Sequence, residues 1–405
     1  MPTPISNPSL GTPATIGKYR IVREVGVGGM AEVFLASREG PEGFSKPYVI
    51  KRILPQYSQD EQFARLFVTE AKIAALLDHP NIVHVFDFEI DRGNYYLVME
   101  YVAGASLLGI MRASVQKGLP LGPQVAAEVA TGVAHALAYA HDLTLPDGTR
   151  LDLVHRDISP GNILISRDGA VKLADFGVVK TSVTETPLGI ITGKWAYMSP
   201  EQIGAQAIDR RSDLFSLGII TYEVATGRRL FRGSTSNDTV ARVKSAIIPR
   251  PRTIVPDLDP LLDQIIMRLL ERDPRTRYQS AAELVTDLEN LRITPAFLGG
   301  SLRLRTLVRS LFPDEQSAAL AASTTPRPTP MQGFARITPG SLSRITSESM
   351  ALAVPAAALR SPPEDPSEAP RLELSEPTKT VTWRLIAALT LACLAASALF
   401  WLLVL

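Results

Sequence analysis

The chain has almost no cysteine. A single thiol, Cys393, in 405 residues excludes an intramolecular disulfide framework and fits a reducing compartment. A charge of one sign is missing too: 42 basic residues stand against 41 acidic ones, so the net charge gives no argument for nucleic acid as a partner. At the start there is neither a basic stretch nor an apolar core. Residues 1–17, rich in Pro, Ser and Thr, do not match a secretory signal and read as a disordered segment. Aromatic residues nearly vanish across 321–382, which is again Pro-, Ser- and Thr-rich. A stretch of that kind buries too little apolar surface to offset its ordering entropy, and it reads as a disordered linker.

What remains has room for more than one domain, since domains run to ~100–200 residues. From Lys18 to Ile293 the composition is globular, with strand patterning giving way to helical patterning after residue 120. Tyr19–Val25 reads as a strand, followed by a Gly-rich turn and a hairpin partner over Glu32–Ala36; Tyr48–Ile53 and Tyr95–Tyr101 are further strands. Val125, Val129, Val133 and Leu137 recur every four residues on one helical stripe. Residues 294–320 keep a Leu/Arg pattern (Leu302, Leu304, Leu307, Val308, Leu311), expected to be a helical extension docked on the globular part.

Residues 385–405 are an unbroken apolar run of 21 residues. As a helix at ~1.5 Å per residue it spans about 31 Å, matching a hydrocarbon core of ~30 Å. Trp383 and Arg384 stand at its entrance, where an aromatic belt residue and a snorkelling cation belong. The expectation is one C-terminal transmembrane helix over 383–405. With Lys379 and Arg384 on its N-terminal side, the globular part is expected in the cytoplasm, tail-anchored to the cytoplasmic membrane. Ala388, Ala392 and Ala396 have the small-residue spacing that permits close helix packing, and with it a homodimer, although such spacing is common by chance.

The chemistry concentrates between these ends. His155-Arg156-Asp157-Ile158-Ser159-Pro160-Gly161-Asn162 is followed by Asp175-Phe176-Gly177. Two carboxylates and an amide, at Asp157, Asn162 and Asp175, are the set needed to place a hydroxyl in line with a phosphoryl group and to hold the magnesium that neutralises it. Upstream, Gly26-Val27-Gly28-Gly29 leads from one strand into another, where glycines let backbone amides fold over phosphates. Any tight hairpin wants glycine, so this turn alone is weak evidence. Val33 would roof the adenine. Lys51 ends an apolar strand, and in the helix expected over Glu61–Leu77 the residue Glu70 shares a face with Phe63, Leu66, Phe67, Ile73, Ala74 and Leu77. A carboxylate on a buried face is costly unless paired, and Lys51 is its natural partner, held there against the phosphates.

With these motifs in place, residues 18–293 resemble the catalytic domain of the eukaryotic-like serine/threonine protein kinases of bacteria, over about two-thirds of the chain. The resemblance implies an α+β, bilobal fold: a β-rich small lobe over about 18–102 and a mainly helical large lobe over about 103–293. It implies ATP and Mg2+ (or Mn2+) as cofactors and proteins as substrates. Lys51 and Glu70 match the ion pair of the small lobe, Met99 the gatekeeper, and Glu100 to Val102 the hinge whose backbone reads adenine. Val49 lies in the adenine roof and Leu164 floors the pocket. Asp157 matches the catalytic carboxylate, while Asn162 and Asp175 match the magnesium ligands. Ser199-Pro200-Glu201 matches the close of the activation segment, Asp213 the aspartate bracing the catalytic loop, and Arg277 the partner of Glu201. The wording of the Gly-rich and catalytic loops is similar to kinases of myxobacteria.

Four positions depart from that pattern. Ala31 replaces the third glycine of the loop, and Val49 stands where alanine is usual. Ser159 takes the place of a lysine that touches the transferring phosphate, and Lys194 that of a threonine near the catalytic aspartate. Losing a cation there could cost several kcal/mol of transition-state stabilisation, which Lys194 is able to return from another backbone position. Two alternatives stand beside the kinase reading. A membrane-anchored pseudokinase scaffold is disfavoured because Lys51, Asp157 and Asp175 are all present. A small-molecule phosphotransferase is disfavoured by the long segment Gly177 to Glu201, which protein kinases use to seat a peptide.

Arg156 beside the catalytic aspartate marks kinases switched by activation-segment phosphorylation, its guanidinium pairing with the phosphate. Thr181, Ser182, Thr184, Thr186 and Thr192 are the candidate acceptors; a loop held in order by Arg156 paired to a carboxylate is the plain alternative. Arg-Ile-Thr recurs at 292–294, 336–338 and 344–346, as tail autophosphorylation sites or as coincidence in biased sequence. Residues 142–152, with the turn signal Pro146-Asp147-Gly148, form an insertion that is either a β-hairpin or a partner contact.

Overall fold

The computed structural model describes residues 15–28, 31–58, 60–176 and 195–313. Gly29, Thr181, Ser182, Thr184, Thr186, Thr192 and Lys194 lie outside the described residues, as do the linker and the apolar run at the end of the chain. Among the described residues no helix is long and apolar enough to cross a membrane.

The small lobe runs β1 (Thr15–Ile16), β2 (Tyr19–Val27), β3 (Ala31–Glu39), β4 (Ser45–Ile53), α1 (Pro55–Ser58), α2 (Glu61–Ala74), β5 (Val85–Asp91) and β6 (Asn94–Glu100). Its strands make one antiparallel sheet in the order β1-β2-β3-β4-β6-β5. Strand alternation gives the sheet two apolar faces. Tyr19, Phe34, Ile50, Tyr96 and Val98 pack together on one, and Ala31, Ile53 and Leu97 pack with Phe67 and Ala71 of α2 on the other. Asp60 caps α2 by accepting from the amides of Gln62 and Phe63. The helix stops three residues before Leu77, because Leu76 and Leu77 donate back only three residues, to Ile73 and Ala74, and tighten the chain into a turn.

The large lobe continues with β7 (Gly104–Ser106), α3 (Leu107–Lys117), α4 (Gly122–His141), β8 (Ile163–Ser166), β9 (Val171–Leu173), α5 (Pro200–Ile203), α6 (Arg210–Thr226), α7 (Ser236–Ser245), α8 (Pro260–Leu269), α9 (Ala281–Arg292) and α10 (Gly300–Leu311). The stripe Val125, Val129, Val133 and Leu137 of α4 is wholly buried. Helix α6 has no stripe: every residue from Ser212 to Ala225 is buried, as expected of a helix enclosed on all sides. Gly132 lets β9 press on α4, since a Cβ there would sit 2.6 Å from the Cβ of Val171. Residues 142–152 are a hairpin, with Leu145 donating to Thr149 O at 2.9 Å and a bridge between Thr144 and Arg150.

Helix α10 is the extension past the globular part. Leu304, Val308 and Leu311 are buried along its i, i+4, i+7 stripe, with Phe297 and Phe312 at its two ends. Leu302 falls off that stripe and is 62% exposed. Lys117 donates to Leu311 O at 2.8 Å, and Arg309 pairs with Asp168 at 2.9 Å, which fixes the helix end against α3 and the β8–β9 turn.

Candidate active site

A buried aspartate sets the loop that carries the chemistry. Asp213, in the first turn of α6, accepts from the backbone amides of His155 and Arg156, both at 2.8 Å, and from His141 Nε2 at 2.9 Å. These bonds hold Arg156 in the left-handed region, at φ 63. For an arginine that conformation costs about 1–3 kcal/mol, so it persists only where the surroundings impose it. Burial lowers the pKa of the Arg156 guanidinium, with the Asp213 carboxylate acting in the opposite sense. The Nε and Nη1 of Arg156 are buried with no hydrogen-bond partner among the described residues.

The loop then turns through Ser159, whose carbonyl accepts from Asn162 N at 3.0 Å. Ser159 itself is buried, only 6% exposed. Asn162 donates its Nδ2 to Asp157 O at 2.8 Å and Asp157 Oδ2 at 3.0 Å, which turns the amide oxygen away from Asp157. Its own carbonyl accepts from Ala174 N at 2.8 Å, tying the catalytic loop to the chain entering Asp175. Asp175 is also left-handed, at φ 57. Phe176 is buried against the His155 ring, with centroids 4.6 Å apart.

Lys51 joins the lobes across this centre. Its Nζ donates to Glu70 Oε1 at 2.7 Å and to Asp175 Oδ1 at 2.9 Å. Burial by itself would lower the lysine pKa, but the Asp175 and Glu70 carboxylates outweigh it and raise the pKa well above the usual lysine range.

Strand register places the rest of the cleft roof. Val33 is opposite Lys51, Lys51 is opposite Leu97, and Val49 is opposite Met99, so these residues share one face of the sheet. Gly26 lies across from Val33 and Val27 across from Glu32, and Gly28 N donates to Ala31 O at 2.7 Å to close the turn. Ala31 is absent from the positive-φ residues, so the third glycine is not required for its backbone conformation. Glu100 ends β6 at the hinge, Val102 follows, and Leu164 sits on β8. All but Gly29 and Lys194 of the non-acceptor site residues thus lie among the described residues.

The donor set suits a magnesium nucleotide. Among the described residues no group of three or more His, Cys, Asp or Glu could hold a metal by itself. Magnesium is usually held by one or two carboxylates together with substrate phosphates and waters, and Asp175 with the Asn162 amide oxygen is a set of that kind. Lys51 beside them supplies a fixed positive charge for phosphate.

Residues 19–287 match the family model described as the protein kinase domain. The chain belongs to the protein kinase family. Among curated relatives, the kinase is 35% identical over 302 residues to a tyrosine-protein kinase, MasK, of Myxococcus xanthus, covering 74% of this chain and 47% of that one. It is 34% identical to the serine/threonine-protein kinase PrkC of Bacillus subtilis, covering 67% of this chain and 40% of that one. With the serine/threonine-protein kinase PknL of Mycobacterium tuberculosis it shares 34% identity over 67% of this chain and 65% of that one. The chain thus spans less than two thirds of the length of each of these relatives. Among solved structures, a point-mutant form of the kinase domain of M. tuberculosis PknI aligns with a TM-score of 0.50 at 26% identity, covering 68% of this chain and 96% of that one.

The kinase domain has a second cation–carboxylate centre, deep in the large lobe. Arg277 Nη1 donates to Glu201 Oε1 at 2.8 Å and to Arg211 O at 2.7 Å, and its Nε donates to Glu271 O at 3.0 Å. Ser212 Oγ donates to Glu201 Oε1 at 2.7 Å. Burial would raise the Glu201 pKa, yet Arg277 and Ser212 together hold it below the ordinary carboxylate range. One hinge-side residue escaped the reading of the sequence. Lys172, on β9, donates to the Glu100 carboxylate at 2.8 Å. In the sequence it is one lysine in a short strand, with no sign of its partner 72 positions away.

Proposed function

We propose that the chain is an ATP-dependent protein kinase that transfers the γ-phosphoryl group to serine or threonine hydroxyls of protein substrates. The observation that carries this is Lys51 bridging Glu70 and Asp175 while Asn162 holds Asp157 beside them. A pseudokinase scaffold has no need to keep all five groups in register.

In this reading Lys51 binds the α- and β-phosphates and the glycine turn covers them. Asp157 accepts the proton of the acceptor hydroxyl as its oxygen bonds to the γ-phosphorus and the bond to the β-phosphate oxygen breaks, leaving ADP. Asn162 and Asp175 would hold magnesium, whose charge offsets that developing on the phosphate oxygens. PrkC and PknL, named as serine/threonine kinases, support that acceptor class, whereas MasK is named for tyrosine. Arg156, with a guanidinium buried and part of it unpartnered among the described residues, supports activation by phosphate on Thr181, Ser182, Thr184, Thr186 or Thr192. The apolar run 385–405 supports a single-pass tether in the cytoplasmic membrane, and its small-residue stripe supports pairing of two copies.

The test is incubation of the full chain with ATP, magnesium and a generic basic protein, with phosphosites mapped by mass spectrometry, beside Asp157→Asn. Phosphate on serine or threonine, lost in the variant, is the expected result. Phosphate on tyrosine alone would overturn the acceptor class, and no transfer with nucleotide still bound would favour the scaffold. Extraction of the full chain from membranes by detergent but not by alkaline carbonate tests the tether.

A further inference from the structure

The large-lobe strand β9 is fastened to the small lobe beside the hinge. Leu173 N donates to Asn81 O at 2.8 Å, Val83 N donates to Leu173 O at 2.9 Å, and Asn81 Nδ2 donates to Val171 O at 2.8 Å. These bonds zip β9 onto the loop between α2 and β5. Lys172, between the two bonded residues, sends its side chain to Glu100 Oε2 at 2.8 Å. The same oxygen accepts from His84 N at 3.2 Å, and Glu100 N donates to His84 O at 2.9 Å. Glu100 is therefore held by its backbone and its carboxylate to the small lobe, and by its carboxylate to the large lobe.

Both partners are mostly shielded, with side-chain exposures of 16% for Lys172 and 28% for Glu100. A pair so placed is screened less than a surface pair. It also sits where lobe opening must begin. Glu100 is the first hinge residue, and its backbone is the part expected to read adenine. Lys172 lies on β9 and Glu100 ends β6, so the pair ties the last strand of the small-lobe sheet to the large-lobe sheet.

We infer that Lys172 is a positioning residue: through Glu100 it staples the hinge, favours the closed cleft and slows nucleotide release. It touches neither phosphate nor acceptor, so its effect belongs to nucleotide residence and not to the transfer step. The inference rests on the reading of this cleft as a nucleotide site. It predicts that Lys172→Met raises the dissociation rate of a fluorescent ADP analogue about fivefold, the scale of a single partly shielded ion pair. KM for ATP should rise with it, while kcat does not fall. Glu100→Gln, at the other end of the pair, should also release nucleotide faster, and Lys172→Arg should restore most of the slow release.

Stopped-flow displacement of the fluorescent nucleotide from the full chain decides the matter, with each single variant and the double variant in parallel. The expected result is faster release in both single variants, with the double variant no faster than either, because both remove one interaction. Release within twofold of wild type in both singles, or effects that add in the double, would overturn the staple. Absence of nucleotide binding in the wild-type chain would instead overturn the kinase reading on which the staple rests.

Discussion

Two carboxylate–cation centres in this kinase use the same chemistry to opposite ends. In the large lobe, Glu201 and Arg277 are saturated: the guanidinium is 0% exposed, and its donors go to Glu201 and to the carbonyls of Arg211, Glu271 and Arg272. In the cleft, Lys51 bridges Glu70 and Asp175, but the Asp175 side chain remains 43% exposed. A saturated buried network can only hold structure, whereas a charged cluster with one open edge can take a ligand. The difference lies in how many donors are already used, not in which residues are present.

Breaking each centre should therefore give different symptoms. The largest effect is expected from Arg277→Met, which leaves Glu201 charged, buried and unpaired. Removing one partner of a buried pair costs about 3–5 kcal/mol, so urea unfolding should shift strongly, and transfer should fail only as far as the protein unfolds. Lys51→Met should do the reverse. Phosphate transfer should drop about 100-fold or more, as for loss of one fixed electrostatic contact in a site, with a smaller shift of the urea midpoint than Arg277→Met gives, because Asp175 keeps an exposed edge. A large loss of stability in that variant would show the cleft cluster to be structural as well.

Acid sharpens the same contrast. Because Glu201 has its pKa depressed in the folded state, its stabilising effect is present above the ordinary value of 4.5 and is lost as pH falls through the folded value. Wild type should thus lose stability between neutral pH and pH values below 4.5 more steeply than Glu201→Gln, measured by urea midpoints across that range. The smallest effect is expected from Arg309→Ala at the end of α10. Its pair with Asp168 is half exposed, with side-chain exposures of 48% and 75%, and such pairs are worth about 0–1 kcal/mol. Thermal unfolding of that variant should be nearly indistinguishable from wild type.

Much of this was legible in the sequence because phosphoryl transfer needs particular groups at short spacing. Asp157 and Asn162 lie five residues apart and act on each other directly. Glu70 was legible for another reason: a carboxylate on an apolar helix face needs a partner. Lys172 obeys neither rule. It is a partly exposed lysine in a three-residue strand, and its meaning comes only from the chain folding β9 against the hinge. The extension α10 was visible as a Leu/Arg pattern, but choosing Leu304 over Leu302 for the buried face requires knowing how the helix is turned against α4 and α3. The end of α2 was hidden because apolar spacing continues to Leu77, while the backbone has already tightened into a turn.

The most direct measurement is the melting temperature of the full chain with ATP alone and with ATP plus magnesium, for wild type, Asp175→Asn and Arg277→Met. A magnesium-dependent rise is expected in wild type and should disappear in Asp175→Asn. In Arg277→Met the rise should survive on a lowered baseline. A full magnesium-dependent rise in Asp175→Asn would contradict the claim that the open edge of the cleft cluster is where the nucleotide and its metal bind.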